Sequence, residues 1–260
     1  MKADFDNAAQ NYDTSFTDSV IGTLQRNLVY QHFSEILKES QLKTILEINC
    51  GTGEDAIWLA KQNFEITATD ISQAMIAIAK SKTTLDNLVF KVADIKTIAK
   101  DFVANKFDLI FSNFGGLNCL SKAELASFFK NTSALLNENG KMVLVIMPKN
   151  TTWEQLYFLL KLDFKNIFRR KKELAIANVN GENVATYYYN PKDIVNLANA
   201  NFEIKQLKPI GFLIPPSYLE PFFKKRPKLI SFLNTLEQSL KNLSWFSKYA
   251  DHYLIVLQKK

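Results

Sequence analysis

The sequence predicts an α/β protein built on a doubly wound parallel sheet, and two observations predict it. Between residues 43 and 149, five short runs of β-branched and apolar residues alternate with segments whose apolar residues recur at helical spacing. This alternation is typical of βαβ units. Several of the runs are apolar at consecutive positions, as expected of strands that are covered on both faces. We therefore expect one sheet with helices on each side.

The elements follow in order along the chain. Residues 14–38 form a predicted helical region ahead of the sheet. The five predicted strands of the core are residues 44–49, 64–70, 87–94, 106–113 and 140–148. Between them lie helical patterns, such as the apolar residues Ala56, Leu59 and Ala60.

The second half of the chain predicts further elements around the core. Residues 153–168 read as an amphipathic helix, and Asn180-Gly181 lies between two strand-like halves, which is a strong hairpin signal. Pro191 opens a predicted helix that runs to Ala200. The remaining expectations are a strand over 202–211, mostly helix over 217–243 and a final strand over 251–260.

The composition fits one large core. Of the 260 residues, 47% are hydrophobic, which argues against a disordered or fibrous chain. The two cysteines supply neither a disulfide framework nor a zinc ligand set, so we expect a reducing compartment and no metal site. The N-terminus carries no apolar run typical of a signal peptide, and the apolar stretch Met142 to Met147 is too short for a bilayer span. These features predict a cytoplasmic protein without a transmembrane segment.

The net charge of +6 is clustered. Residues 169–172 (RRKK) and 224–228 (KKRPK) supply much of the excess. Such clusters can meet nucleic acid, an anionic membrane surface or an acidic partner. Neither cluster belongs to a nucleic-acid motif, so a solvated helix face is the favoured interpretation and nucleic acid is not an expected partner.

The stretch Ile45 to Ala56 (ILEINCGTGEDA) is the most informative in the chain. A predicted strand is followed by a glycine loop and then by a helix, and the glycines allow backbone amides to approach a ligand closely. The loop also satisfies G-x-G-x-x-A, the pattern of dinucleotide sites. The charged residues around the loop distinguish a dinucleotide site from a site for a cationic ligand. Glu47, Glu54 and Asp55 would repel a diphosphate at the helix N-terminus and favour a ligand that carries an ammonium group and a sulfonium.

An acidic residue followed by such a loop resembles the first motif of class I S-adenosylmethionine-dependent methyltransferases, in particular those acting on small molecules. The resemblance implies a Rossmann-like seven-stranded sheet, mostly parallel with an antiparallel last strand. It also implies S-adenosylmethionine as cofactor and S-adenosylhomocysteine as product. This sequence departs from the motif at Asn49, which replaces the first glycine of the loop.

The resemblance assigns cofactor-binding roles to particular positions. Glu47 and the loop residues Asn49, Cys50, Gly51, Thr52 and Gly53 would hold the methionine portion. Asp70 would bind the ribose, Ile71 would pack beside the adenine, and Asp94 and Ile95 would face its amino edge. Asn113 would line the methyl-transfer side.

The N-terminal segment FDNAAQNYD resembles an arm common in small-molecule members of the family. In those proteins the tyrosine covers the bound cofactor, which makes Tyr12 a lid candidate. Arg26 is a candidate partner for the cofactor carboxylate. The alternative for Arg26 is a surface ion pair.

The loop after the fourth predicted strand, SNFGGLNC, lies where open α/β sheets bind ligands. Phe114, Gly115 and Asn118 are therefore candidates for substrate contact. Nucleic-acid methyltransferases carry either an N-P-P-Y-like clamp or a Pro-Cys nucleophile at this loop, and neither is present. Residues 150–190 and 211–249 would form a helical and hairpin lid over the acceptor, with Trp153, Tyr188 and Tyr218 as further candidates.

Methyl transfer from a sulfonium is an in-line displacement, so catalysis rests mainly on proximity and alignment. A base is needed only when the acceptor must lose a proton. The candidates are His252, His32 and Tyr12. A structural role is favoured for His32 because it lies in a helical pattern. It is favoured less strongly for His252, because an antiparallel last strand would begin on the ligand side.

We interpret residues 1–260 as a single methyltransferase domain, with an N-terminal arm over 1–42 and a cofactor-binding core over 43–149. The expected function is methylation of a small molecule at oxygen, carbon or nitrogen. Three alternatives stay open: an RNA or protein methyltransferase that uses the basic clusters, a nicotinamide-dependent oxidoreductase, and a non-catalytic cofactor-binding module. The sequence determines neither the acceptor nor the oligomeric state.

Overall fold

The computed structural model describes residues 9–38, 42–179 and 182–260. The α-helices are α1 (Ala9–Tyr12), α2 (Val20–Leu37), α3 (Glu54–Ala60), α4 (Gln73–Ser81), α5 (Ile98–Asp101), α6 (Lys122–Thr132), α7 (Thr152–Leu160), α8 (Pro191–Ala198), α9 (Glu220–Phe223) and α10 (Pro227–Leu240). The strands are β1 (Thr44–Ile48), β2 (Glu65–Asp70), β3 (Leu88–Val92), β4 (Phe107–Ser112), β5 (Leu136–Ile146), β6 (Ala175–Val179), β7 (Glu182–Thr186), β8 (Phe202–Ile210) and β9 (His252–Lys259). A π-helical turn covers Asp13–Thr17.

Seven of the strands form one sheet in the order β3-β2-β1-β4-β5-β9-β8. The first five strands pair in parallel, and β9 runs antiparallel between β5 and β8. The predicted fold class is confirmed, including the antiparallel last strand. The strand order reverses at β1 and β4, and such a switch point is where open sheets bind ligands at their carboxyl edge.

Consecutive apolar residues in the central strands supply both faces of the sheet. In β1, Leu46 and Ile48 pack into the core on one side, whereas Ile45 packs into the core on the other. In β4, Ile110 and Phe111 divide in the same way. Because side chains alternate along a strand, an unbroken apolar run is what a doubly covered strand requires.

The predicted helical region 14–38 contains a break. The π-helical turn Asp13–Thr17 ends just before Ser19, whose hydroxyl accepts a hydrogen bond from the Gly22 N–H at 2.9 Å and caps α2. A Cβ at Gly22 would lie 1.9 Å from the Phe16 carbonyl oxygen. The absence of a side chain at Gly22 therefore lets the turn close against α2.

The prediction of one helix over 153–168 is wrong, because α7 ends at Leu160. Leu162 takes a left-handed backbone conformation, with φ of 58°, and the chain continues in turns to residue 168. The predicted strand 140–148 spans Leu136–Ile146 instead, with an irregular register opposite β4. The Asn180-Gly181 turn lies outside the described residues, although β6 and β7 pair antiparallel on either side of it.

The described residues of the ranges 150–190 and 211–249 contact each other, and we call them the cap. The Trp153 ring contacts Phe223 with centroids 5.7 Å apart, and its Nε1 donates to the Leu213 carbonyl at 3.1 Å. The buried Glu237 carboxylate accepts hydrogen bonds from the N–H groups of Phe212, Leu213 and Ile214. Within the described ranges, no helix is both long and apolar enough to cross a membrane.

Candidate functional site

A pocket opens at the carboxyl edge of the sheet, beside the ends of β1 and β4. It is lined by Tyr12, Arg26, Asn49, Cys50, Gly51, Thr52, Glu54, Asp55, Asn113 and Phe114. Seven of these residues were predicted to bind a cofactor, and Phe114 was predicted to contact substrate. The structure therefore brings the arm, the glycine loop and the loop after β4 together.

The glycine loop turns through left-handed backbone conformations at Asn49, Gly51 and Gly53, with φ of 57°, 52° and 81°. Asparagine is one of the few other residues that adopt this conformation readily, which explains how Asn49 replaces a glycine. A Cβ at Gly53 would lie 2.8 Å from the Phe90 ring and 2.9 Å from the Ala79 Cβ. The loop thus packs too tightly on the core for any side chain at Gly53.

Asp70 fixes the loop from the end of β2. Its Oδ2 accepts a hydrogen bond from the Gly51 N–H at 2.9 Å, and its Oδ1 accepts one from the Ser72 N–H at 2.9 Å. The carboxylate that the sequence predicted to bind ribose therefore also holds the backbone of the glycine loop. Hydrogen bonds to a charged acceptor are stronger than those between neutral groups, so Asp70 contributes to the shape of the pocket.

Arg26 is a buried part of the site, 7% exposed, and not a surface residue. Its Nε donates to Asp55 Oδ1 at 3.0 Å, and the Tyr30 hydroxyl donates to the same oxygen at 2.7 Å. Asn113 Nδ2 donates to Asp55 Oδ2 at 3.0 Å. Asp55 thus joins α2, α3 and the end of β4, a role that sequence reasoning missed because its partners lie 29 and 58 residues away in the chain.

Two buried polar atoms near this ion pair have no hydrogen-bond partner among the described residues: Arg26 Nη1 and Glu47 Oε2. Burial raises the pKa of Glu47 well above its usual range, with a further contribution from the nearby Asp55 carboxylate. The site thus contains an unsatisfied cationic donor and an unsatisfied carboxyl group. These two groups fit the carboxylate and the ammonium of an amino-acid end, as S-adenosylmethionine carries.

The N-terminal arm closes over the glycine loop through Asp13. Thr52 Oγ1 donates to Asp13 Oδ1 at 2.6 Å, and Lys82 Nζ lies 2.6 Å from Asp13 Oδ2. Asp13 was missed as a site residue, although it follows Tyr12 in the quoted motif. Burial raises the pKa of Tyr12 to about 12, so its hydroxyl stays protonated at neutral pH.

The predicted adenine-side residues lie at the same edge of the sheet but do not line the described pocket. Ile71 follows β2 and is 49% exposed, whereas Asp94 and Ile95 follow β3. Asp94 Oδ1 accepts a hydrogen bond from the Lys96 N–H at 2.8 Å. These three side chains therefore flank the site on the β2 and β3 side.

A row of aromatic rings, which we call the aromatic wall, adjoins the pocket through Tyr12 and Phe114. We use this name for Tyr12, Phe16, Phe114 and His252, whose successive ring centroids are 5.9, 5.0 and 5.5 Å apart. The Arg26 guanidinium lies over the Phe16 and Phe114 rings. His252 is the first residue of β9, so the start of this strand lies on the ligand side, as the antiparallel prediction required.

Behind His252 lies a buried ion network that joins the cap to the sheet. Asp251 Oδ2 lies 3.3 Å from His252 Nδ1, and Asp251 Oδ1 lies 3.0 Å from Arg170 Nη2. The buried Glu154 carboxylate accepts hydrogen bonds from both Arg169 and Arg170. Burial alone would raise the pKa of Asp251, but His252 and Arg170 outweigh burial and hold it well below its usual range.

This network accounts for half of the first basic cluster. Arg169 and Arg170 are occupied by internal carboxylates, and Arg170 is only 6% exposed. They are therefore not part of a free basic surface. Neither residue was predicted to have a buried partner, because Asp251 lies 81 residues from Arg170 in the sequence.

The remaining residues that were predicted to contact substrate lie in different parts of the structure. The Asn118 side chain bonds the backbone of Met147 and Tyr187, so it holds β5 and the cap segment together. Gly115 is packed against Met147, and Tyr188 lies under the Arg170 guanidinium. Trp153 and Tyr218 lie in the cap, where Tyr218 contacts the Tyr157 ring.

His32 does not line the pocket. It is buried in α2, where burial and the nearby Lys208 and Lys241 lower its pKa to about 4. Its imidazole is therefore neutral at pH 7. Among the residues that the structure describes, no group of histidine, cysteine and carboxylate side chains could hold a metal ion.

Comparison with known proteins agrees with this geometry. Residues 45–140 match the family described as "Methyltransferase domain". Malonyl-[acyl-carrier protein] O-methyltransferases of Bacillus cytotoxicus and Priestia megaterium are 35% and 33% identical over 160 and 117 residues. The alignments cover 59% and 44% of this chain and 51% and 39% of those enzymes. The chain thus spans about half or less of the length of these relatives.

Solved structures share the fold over nearly the whole chain. Magnesium protoporphyrin IX methyltransferase from Synechocystis PCC 6803, with bound S-adenosylhomocysteine, has a TM-score of 0.58 at 14% identity and covers 92% of this chain and 85% of its own. A SAM-dependent methyltransferase from Methanosarcina mazei has a TM-score of 0.56 at 20% identity and covers 87% and 96%. The sheet, the glycine loop and the matched region lead to one conclusion: residues 45–140 form a methyltransferase domain, in a chain that has the fold of solved S-adenosylmethionine-dependent methyltransferases.

Proposed function

We propose that this chain transfers the methyl group of S-adenosylmethionine to a small-molecule acceptor that binds at the aromatic wall. One observation carries the proposal: beside the glycine loop, the pocket residue Arg26 and the buried Glu47 of β1 each keep one buried polar atom without a hydrogen-bond partner among the described residues, Nη1 and Oε2. Those groups match the two charges of the methionine portion. The cofactor supplies an electrophilic methyl group, and the protein aligns it with the acceptor.

In this proposal the residues of the site divide into two sets. Arg26, Glu47 and the loop from Asn49 to Gly53 hold the methionine portion, and Asp70 binds the ribose. Ile71, Asp94 and Ile95 bind the adenine. Tyr12 covers the cofactor from the arm, and Asn113 and Phe114 face the acceptor.

Two features support a small acceptor over RNA or protein. The cap packs against the start of α2, where Glu220 accepts hydrogen bonds from the Val20 and Ile21 N–H groups at 3.0 and 2.9 Å. The cap thereby contacts the helix that supplies Arg26 to the pocket. The relatives also point to acceptors of limited size, since their names specify malonyl groups on a carrier protein and a magnesium porphyrin.

A hydroxyl acceptor would have to lose a proton, and His252 is the group we propose to accept it. Asp251 lies 3.3 Å from its Nδ1 and would stabilise the imidazolium that results. An acceptor that reacts at an already nucleophilic nitrogen or carbon would not need this step.

Binding of S-adenosylhomocysteine is expected to release a proton and to strengthen as the pH rises. In the free protein, burial raises the pKa of Glu47 well above its usual range, so this carboxyl group keeps its proton to a higher pH than an exposed glutamate does. An ammonium group beside Glu47 favours the carboxylate and lowers that pKa. The affinity should therefore increase by up to about tenfold per pH unit above the ordinary glutamate range, until the free-state pKa is reached.

Calorimetric titration in two buffers of different ionisation enthalpy measures this proton directly. Glu47→Gln is the matched control, since it keeps the shape of the side chain and should bind without proton release. If the affinity and the heat of binding of the wild-type protein depend on neither pH nor buffer, the proposed role of Glu47 is contradicted.

The proposed function itself is tested with methyl-labelled S-adenosylmethionine and a cell extract separated into small-molecule, RNA and protein fractions. We expect label in the small-molecule fraction when wild-type protein is added, and none with an Asp70→Ala variant. Label that appears instead in RNA, or in polypeptides other than an acyl-carrier protein, would refute the small-molecule acceptor.

A further inference from the structure

The exposed apolar surface of this protein is concentrated in the cap. Of the twenty-one large apolar side chains that are exposed among the described residues, fifteen lie within 150–190 and 211–249. These two ranges hold 80 of the 260 residues. Scattered exposed apolar residues need no explanation, but a concentration in one part of the surface indicates an interaction site.

Helix α10 shows the clearest pattern. Leu229, Phe232 and Leu236 are spaced by three and four residues and are 40%, 58% and 39% exposed, and we call them the outer stripe. The neighbouring face of the helix, with Ile230 and Glu237, is buried in the cap. The outer stripe is therefore a second apolar face that packing within the described chain does not use.

Further exposed apolar side chains lie before and after the helix. Phe222, Leu243 and Trp245 are 47%, 50% and 62% exposed. The Arg226 guanidinium lies 3.8 Å from the centroid of the Phe222 ring, and Lys248 Nζ lies 5.2 Å from that of Trp245. Aromatic rings flanked by cations are common where a protein meets the boundary between apolar and aqueous phases.

The same segment exposes positive charge almost exclusively. Residues 217–248 contain six basic residues, Lys224, Lys225, Arg226, Lys228, Lys241 and Lys248, and only two acidic ones. Both acids are used internally: Glu220 binds the first N–H groups of α2, and Glu237 is buried under the loop 212–214. Four of the cations, Lys224, Lys225, Arg226 and Lys228, are exposed and directly precede Leu229, so positive charge adjoins the apolar face and no exposed carboxylate of the same segment offsets it.

We propose that the outer stripe binds the surface of an anionic phospholipid bilayer. The cations pair with lipid headgroups, while the stripe enters the boundary between headgroups and acyl chains. Charge complementarity selects the anionic surface. The exposed aliphatic and aromatic side chains favour lipid over nucleic acid, because phosphate-backbone binding makes no use of such an apolar face.

The neighbouring part of the cap has the same character. α7 packs on this region through the Tyr157–Tyr218 ring contact, with centroids 5.3 Å apart. Beyond the end of α7, Leu162 and Phe164 are 74% and 64% exposed; Lys161 and Lys165 flank them, and Asp163 lies between them. This segment enlarges the apolar and cationic surface that a bilayer would contact.

The experiment is co-sedimentation of the full-length chain with vesicles of phosphatidylcholine alone or with about 30 mol% phosphatidylglycerol. We expect binding to the anionic vesicles, little binding to the neutral ones, and weaker binding at high salt. The double variant Phe232→Ser/Leu236→Asn should bind at least about tenfold more weakly, because it lacks two apolar side chains that the bilayer would bury. The matched control is Val103→Ser, which removes an apolar side chain that is 80% exposed outside the cap.

Each outcome bears on the proposal. The variants must retain the wild-type thermal unfolding midpoint, which the exposure of both replaced side chains leads us to expect. Absence of binding to anionic vesicles overturns the proposal. So does binding that survives loss of the stripe and disappears only with Lys224→Gln, Lys225→Gln and Lys228→Gln, because charge alone would then explain it. If the wild type is a dimer and the stripe variant is a monomer, the outer stripe binds a second copy of the chain and the proposal is overturned. The readout does not involve methyl transfer, so the proposed function is tested separately.

Discussion

Asp70→Ala is expected to weaken binding of S-adenosylhomocysteine by about 100-fold or more while leaving the fold intact. The substitution removes the acceptor of the Gly51 and Ser72 N–H groups, so the glycine loop loses the contact that holds its backbone. It also removes the proposed ribose contact. Hydrogen bonds to a charged group contribute about 1.5–3 kcal/mol each, and about 2.7 kcal/mol corresponds to a factor of 100.

Calorimetric titration measures this loss, and an unfolding curve checks the fold. Asp86→Ala is the matched control, because Asp86 is an exposed aspartate in the turn before β3. It should bind like the wild type. An unchanged affinity in Asp70→Ala would remove Asp70 from the proposed cofactor site and would show that its hold on the glycine loop is not needed for binding.

Arg170→Met is expected to destabilise the protein by about 3–5 kcal/mol, the largest effect on stability that the structure predicts. Arg170 lies between Glu154 and Asp251, which are 2% and 5% exposed. Without the guanidinium, both carboxylates stay buried with fewer partners. The contribution of Asp251 is complete at neutral pH, because its pKa is lowered in the folded state, and it is lost as the pH falls through that lowered value.

Urea unfolding measures the difference in free energy. Lys172→Met removes an exposed cation two residues away and should change the stability by less than about 0.5 kcal/mol. The double variant Arg170→Met/Glu154→Gln should recover part of the lost free energy of unfolding, because it no longer buries the uncompensated Glu154 carboxylate. Equal stabilities of Arg170→Met and Lys172→Met would show that the buried network is not required for folding.

The basic cluster 169–172 illustrates where a sequence pattern misleads. Four consecutive cations favour a solvated surface, yet Arg170 is buried and Arg169 is shared with Glu154. The pattern contains no sign of this, because the partners come from α7 and from the start of β9. The helix predicted over 153–168 failed for a related reason. Its apolar spacing continues past Leu160, but Leu162 and Phe164 are exposed after the chain has turned.

Local sequence patterns were enough to predict the sheet, the order of its core strands along the chain and the position of the glycine loop. These features depend on local patterns: apolar runs for strands covered on both faces, and left-handed conformations that Asn49, Gly51 and Gly53 can adopt. The residues predicted from those patterns line most of the pocket, because parallel strands bring their carboxyl ends to one edge.

The pairs of charged residues that contact each other could not be predicted from such patterns. Arg26 pairs with Asp55, Arg170 with Asp251, and Glu220 with the start of α2, across separations of 29, 81 and about 200 residues. An ion pair requires only that two side chains come close with opposite charge, and closeness over such separations depends on the path of the whole chain. The exposure of the outer stripe also depends on the tertiary structure, because α10 packs its adjacent face into the cap and leaves the stripe outside.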